Sequence, residues 1–236
     1  MVDPKIAIII HAHYLQTLND LLKCLESLPY KFDLFLNFSF IYNKNQNYIS
    51  RYKDILKKTV PGNCYFTTSN NRGLDIGGFF ASSEVALRKN LSYDLVCKLH
   101  TDPNLHSREK LLSTLLGNTS QVKKIFNLFK VYPSIGVVSD KRFYYLDFVR
   151  RENEENYSFF TEKLKLKKEC CFPQNTNYLQ GSMFWMRGDI WDFLMNKEIT
   201  IKDFELGYAP RSLRAHAFEK VFTAVFCHLG YGSFLF

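Results

Sequence analysis

No two cysteines in this sequence form a C-x-x-C pair, and none stands at zinc-ligand spacing. The six that are present, Cys24, Cys64, Cys97, Cys170, Cys171 and Cys227, are scattered, several of them in apolar runs where a free thiol behaves as a small hydrophobe. That pattern argues against a zinc module or a disulfide framework and for a reducing compartment. Long hydrophobic runs are missing too. The apolar stretch within "MVDPKIAIIIHAHY" is far too short to cross a bilayer and lacks a signal-peptide cleavage pattern. The expected location is therefore cytoplasmic, with peripheral membrane contact left open. Internal repeats and low-complexity tracts are absent. So are a basic recognition helix and an RNA-binding motif, which sets nucleic acid aside as the partner.

What the chain does have is apolar mass and positive charge. Its 236 residues are 46% hydrophobic and 16% aromatic, enough for one sizeable core, so a single domain over 1–236 is expected. The formal net charge of +8 points to an anionic partner: a nucleotide diphosphate or a membrane surface fits as well by sign as a nucleic acid.

The first half alternates strand and helix patterns. "KIAIIIHAH" reads as a buried parallel strand, and "LQTLNDLLKCLESL" puts Leu15, Leu18, Leu21, Leu22, Leu25 and Leu28 at helical spacing. "FDLFLNFSF" and "NCYFTTS" read as further strands, "QNYISRYKDILKK" and residues 78–89 as helices, and "YDLVCKLH" as a fourth strand. Four β-then-α repeats predict an α/β fold with a mostly parallel, doubly wound sheet flanked by helices. Beyond it, "REKLLSTLLG" and "SQVKKIFNLFKVY" read as helices, "SIGVVS" as a short strand and 140–177 as a polar insertion, either a long loop or a small helical excursion. "LQGSMFWMR" reads as a strand, "GDIWDFLM" as a short helix, and "RSLRAHAFEKVFTAVFCHLG" as a long C-terminal helix with Phe218, Val221, Phe222, Val225 and Phe226 on one stripe.

Ligands of open α/β sheets bind beyond the carboxyl ends of the strands, which directs attention to His11 and His13, to Asn70–Asp75 and to "KLHTDPNLH". In "NNRGLDIGGFF", Gly73 permits an unusual backbone angle, Gly77 and Gly78 allow close approach of a ligand or of another element, Arg72 fits a phosphate and Asp75 a sugar hydroxyl. The competing reading is a turn whose Arg72 and Asp75 pair with each other. The stretch is not a G-x-G-x-x-G fingerprint, in spacing or in position. In "CKLHTD", strand alternation puts Lys98, His100 and Asp102 on one side, a set able to hold a divalent metal through Asp102 and His100 while Lys98 neutralises a diphosphate. Alternatively, Asp102 caps the turn before Pro103 and His100 satisfies a backbone carbonyl.

Taken in order, "NRGLDIGGF", "YDLVCKLHT", "SREKLLSTLLG", "IGVV", "GSMFWMR" and "AHAFEKVF" followed by "LGY" resemble the rhamnan synthesis F family of polysaccharide-assembly glycosyltransferases, over most of residues 5–231. The resemblance implies a GT-A-like fold with a nucleotide-sugar-binding half, 1–102, and an acceptor-side half, 103–236. It implies donor contacts from His11, Asn71, Arg72, Gly73, Asp75, Lys98 and His100. In the family a basic residue usually follows the H-[ST] pair, whereas this chain has Asp102, which restores an acidic D-x-D-like terminus; Mn2+ or Mg2+ at Asp102 and His100 is an expectation for this chain and is not carried over from the family.

On the acceptor side the resemblance implies a carboxylate base if the reaction inverts. Glu219, three residues after His216 on one helical face, is the first candidate, with Lys98 as the leaving-group stabiliser and Glu205 and Asp189 as rival bases. The competing reading of His216 and Glu219 is a surface pair. Ser182 and Trp185 offer a hydroxyl and an aromatic platform, although Trp185 reads equally well as core. His228 reads as structural, and "KLKLKKE" as a solvated face or a contact with anionic lipid. The function expected is transfer of a sugar, rhamnose among the candidates, from a nucleotide diphosphate to a glycan, glycoprotein or lipid-linked hydroxyl. The alternative is a binding module for nucleotide sugars or carbohydrates on the same fold, without turnover.

Overall fold

The computed structural model describes residues 3–39, 46–147, 149, 153–172, 176–197, 199–207 and 214–236. All seven residues of β1 (Ile6–Ala12) are buried, as a β-branched run apolar on both faces requires of a central strand. It pairs in parallel with β2 (Asp33–Ser39) on one side and β4 (Leu95–His100) on the other, and β3 (Cys64–Ser69) extends the sheet in parallel beyond β2. Past β4 come β8 (Phe184–Arg187), β5 (Ile135–Ser139) and β9 (Gly232–Leu235), giving the order β3-β2-β1-β4-β8-β5-β9. Here β8 is antiparallel to both neighbours and β9 is parallel to β5.

Strand alternation sorts the core into two layers. Ile6, Ile8 and Ile10 pack with α1 (Leu18–Cys24), α2 (Gln46–Thr59), α4 (Leu105–Leu116) and α5 (Thr119–Val131). Ala7 and Ile9 pack on the other face with α3 (Leu74–Arg88), α7 (Gly188–Met195) and α8 (Arg214–His228). The stripe read from the C-terminal segment, Phe218 to Phe226, is buried there. Helix α6 (Glu154–Lys163) closes that layer: Phe160 stacks on Phe204 and meets Phe218 edge-on.

The doubly wound sheet, the helical insertion and the long C-terminal helix are all present. Four features depart from the sequence reading. Helix α3 starts at Leu74, not 78, so Gly77 and Gly78 lie inside it. Within 140–177 the ends pair as a two-stranded antiparallel sheet, β6 (Tyr144–Asp147) with β7 (Thr176–Leu179). Strand β9 was not anticipated, nor was the antiparallel sense of β8. Strands of four residues hold barely two periods of alternation, and periodicity carries no direction.

Candidate functional site

The candidate site forms where β1 and β4 end. Register pairs His11 with His100, and alternation turns His11, Lys98 and His100 toward the face covered by α3 and α8. Helix α3 approaches that face very closely. A Cβ on Gly78 would lie 2.0 Å from His11 Nδ1 and 2.9 Å from Asn37 Oδ1, so this glycine exists because the helix rests on the imidazole. Of the two roles read for Gly78, close approach of another element is the one seen. The chain enters α3 through left-handed backbone at Asn71 (φ 46°), Gly73 (φ 69°) and Leu74 (φ 54°). Strain of this kind in non-glycine residues persists only where surrounding contacts fix it.

Those contacts come from residues 204–207. Gly73 N donates to Glu205 O at 2.9 Å, Gly207 N to Asn71 O at 3.1 Å, and Arg72 forms an isolated antiparallel bridge with Leu206. The Arg72 guanidinium donates from Nη1 to Phe204 O at 2.6 Å. It therefore neither pairs with Asp75 nor turns this nitrogen toward a phosphate. Instead it pins the turn before α3 to residues 204–207.

Asp75, in the first turn of α3, meets Lys98 at 2.6 Å. Lys98 is 1% exposed, and its three N–H groups have three acceptors: Asp75 Oδ2, Ser182 O at 2.9 Å and Ser182 Oγ at 2.8 Å. No donor is left for a diphosphate, so the contact expected of Lys98 is replaced by one that holds Asp75. Ser182, itself strained at φ 43°, donates its hydroxyl to Asp75 Oδ2 at 2.5 Å. Burial alone would raise the Asp75 carboxyl, but Lys98, His100 and the two hydrogen bonds outweigh it and hold the group well below the usual carboxylate range. The Asp75 side chain keeps 18% exposure and can still accept from a ligand. His100 Nδ1 stands 3.7 Å from Asp75 Oδ2 and is a buried polar atom with no hydrogen-bond partner. Burial lowers its pKa against the pull of Asp75.

Glu219, on α8, completes the cluster. Burial first and the Asp75 charge second raise its pKa to about 8, against the opposing effects of Lys98, Lys220 and a hydrogen bond from the Gly181 amide. The adjacent residues Gly181 and Ser182 thus hold both carboxylates, one each. Glu219 is part-buried and belongs to this cluster, which replaces the surface-pair reading for it; His216, one turn earlier on α8, is also part-buried.

Asp102 lies past the end of β4. Its Oδ1 accepts from Asn104 N at 2.7 Å and its carbonyl from Arg108 Nη1 at 2.6 Å, which is the capping role. Among the described residues no group of three or more His, Cys, Asp or Glu side chains comes together to hold a metal ion. Asp102 and His100 therefore do not amount to a metal centre built by the protein alone.

The remaining candidates sort by position. His11 is 4% exposed, hydrogen-bonds Asn37 Oδ1 at 2.8 Å and has its pKa lowered to about 4, chiefly by burial, so it is a neutral packing group beneath α3 and not a surface for ligand. Asn37 extends this network to Thr67 and Ser69. A lone amide in the apolar run "FDLFLNFSF" was the available signal for it, and sequence reasoning passed over it. Trp185 is fully buried, donating to Leu115 O and meeting Phe126 edge-on, so it is core and no sugar platform. Of the rival bases, Glu205 caps α8 by accepting from Arg214 N. Asp189 bonds Tyr231 beside the start of β4, at the opposite end of that strand from the site. His228 is structural, accepting from Lys167 N at 3.1 Å.

No curated protein sequence matches this chain. Among solved structures it is similar to the crystal structure of residues 1–349 of S. aureus TarS, at 10% identity and a TM-score of 0.47. That likeness covers 95% of this chain and 56% of the other, so the chain spans a little over half the length of that structure. The sequence profile of rhamnan synthesis protein F matches residues 1–231, every strand down to β8 and the whole of the site included. The chain belongs to the rhamnan synthesis protein F family.

Proposed function

We propose that this protein is a GT-A-like glycosyltransferase that moves a sugar, rhamnose the first candidate, from a nucleotide diphosphate donor to a hydroxyl of a glycan or glycoconjugate. Residues 1–102 would serve the donor and 103–236 the acceptor. The observation that carries the reading is the cluster at the strand ends: an ionised Asp75 with residual exposure, an unsatisfied His100 nitrogen beside it, and Glu219 with a pKa of about 8. Membership of the family and the net charge of +8 support it.

In this mechanism Asp75 accepts from a donor hydroxyl and His100 Nδ1 gains the partner it lacks. Glu219 takes the proton of the acceptor hydroxyl as its oxygen bonds the anomeric carbon and the nucleoside diphosphate departs. A base with a pKa near the working pH balances the fraction ionised against proton affinity. Lys98 acts through Asp75, which it helps hold ionised. No step is assigned to a divalent ion, because the described residues do not make a ligand set for one.

The test is a panel of nucleotide sugars read by thermal shift and by donor turnover, with manganese and with excess chelator. A donor that stabilises the protein and is consumed supports the reading, and the chelator arm reports on Mn2+ or Mg2+. A donor that stabilises without turnover selects the binding module instead, and a panel without any shift overturns both.

A further inference from the structure

Three of the six cysteines gather at a place remote from the strand-end cluster. Cys170 ends a short 3-10 turn, Lys168–Cys170, that packs against α8, and Cys227 lies in the last turn of α8. Both line a cavity of about 270 Å³ whose walls include Tyr144, Phe172 and Tyr231. The two thiols are neighbours in the wall of this cavity, 57 residues apart in sequence, counted from 170 to 227. Their environments differ: Cys170 is 7% exposed, whereas Cys227 is exposed to solvent. Cys171, the next residue, donates its thiol to Lys167 O at 3.3 Å and is engaged elsewhere. The three do not form a metal site with any neighbour among the described residues.

We propose that Cys227 is a site of reversible thiol modification by small disulfides such as oxidised glutathione, and that Cys170 is its resolving partner. The Cys227 thiolate attacks one sulfur of oxidised glutathione; the glutathione S–S bond breaks, a Cys227–glutathione disulfide forms and one glutathione leaves. The Cys170 sulfur then attacks the Cys227 sulfur, its proton passing to the second departing glutathione. Two protein thiols are oxidised to one disulfide and one glutathione disulfide is reduced to two thiols, so atoms and electrons balance. Solvent exposure makes Cys227 the entry point. Burial and the neighbouring Cys227 push the Cys170 thiol up to about 12, which fits a group that reacts second, and only with a sulfur already beside it. The product ties the insertion to the end of the helix that carries Glu219. In a reducing compartment the bond would be transient, as a sensor requires.

The test uses the full chain under native conditions with oxidised glutathione, followed by alkylation of the remaining thiols and peptide mapping without reductant. The expected result is a Cys170–Cys227 cross-linked peptide that dithiothreitol reverses. Cys170→Ser should accumulate the Cys227–glutathione mixed disulfide, because nothing resolves it, while Cys227→Ser should show neither product. Both serine variants are near-isosteric at a surface groove, and thermal melts check that they are folded. A cross-link through Cys171, a Cys227 left unmodified in Cys170→Ser, or a cross-link that forms only in denaturant would each overturn the assignment.

Discussion

Asp75 and Glu219 belong to one cluster, yet their surroundings push them in opposite directions. Asp75 receives an ammonium and a hydroxyl hydrogen bond; Glu219 receives one backbone amide and feels the Asp75 charge. Two carboxyls divided in this way divide roles, one staying ionised and the other able to exchange a proton near neutrality. Glu219→Gln should cut turnover by about two orders of magnitude or more while donor affinity changes little, since a base acts on the acceptor in the transition state. Turnover of the parent should rise with pH toward about 8 as Glu219 ionises. Steady-state kinetics from pH 6 to 9 would check both, and an unchanged turnover in the variant would pass the role to another group. Lys98 offers a second check at this scale. Removing it as Lys98→Met leaves Asp75 without its cation and should destabilise the fold by about 3–5 kcal/mol. Asp75→Asn introduced into that background should restore part of the loss, because it removes the uncompensated charge. Urea denaturation of the two single variants and the double would measure the coupling, and strictly additive losses would mean the pair does not act as a unit.

At the scale of elements, the site depends on how closely α3 lies on β1. Gly78→Ala puts a methyl 2.0 Å from a ring nitrogen of His11, which is itself held by Asn37, so neither wall is free to give. The substitution should cost about 1–3 kcal/mol or more and lower donor affinity by shifting Asp75 on the same helix. Full stability and donor affinity in that variant would show that the helix tolerates displacement. The same contact shows what the sequence could and could not reveal. The strands and helices of the first half were legible because each carries enough residues to display a period, and the strand-end rule led directly to Asp75, Lys98 and His100. Their roles were not legible. Lys98 looked available to a phosphate because its partner Ser182 lies 84 residues away in the turn before β8, and no local pattern joins the two. Gly77 reads as lying outside the helix because glycine is a poor helix former, whereas here close packing overrides propensity: Gly78 lies against His11 of β1, and a Cβ on Gly77 would lie 1.9 Å from Arg72 O. Trp185 was ambiguous for the same reason: one strand position decides whether an aromatic ring is platform or core.

Across the whole molecule, the buried titratable groups combine into one stability profile. His11, His13, His100 and His228 all have pKa values lowered from 6.5, chiefly by burial. A lowered imidazole binds fewer protons when folded than when unfolded, so stability rises with pH as the unfolded chain sheds those protons, a gain complete above about 6.5. For His11 the window runs from about 4 to 6.5. Asp75 acts in the same sense at lower pH: its depressed carboxyl contributes stability above the unfolded value of about 3.9, lost as pH falls below it. Glu219 acts the other way. Raised to about 8, it holds a proton in the folded state that the unfolded chain has released above about 4.3, so stability falls with pH through that window. Asp192, also raised by burial, adds to the fall at the acidic end. Below pH 6.5 the four imidazoles outnumber Glu219 and Asp192, so stability climbs; above 6.5 the imidazoles are spent and Glu219 leads the slope, joined toward pH 8 by the five thiols that burial raises, so stability declines. The optimum should fall near pH 6.5. Glu219→Gln should keep the acidic limb and flatten the decline between 6.5 and 8, because glutamine binds no proton in either state. Urea melts at half-unit pH steps would read this directly, and a decline that persists unchanged in Glu219→Gln would mean that Glu219 does not carry that proton.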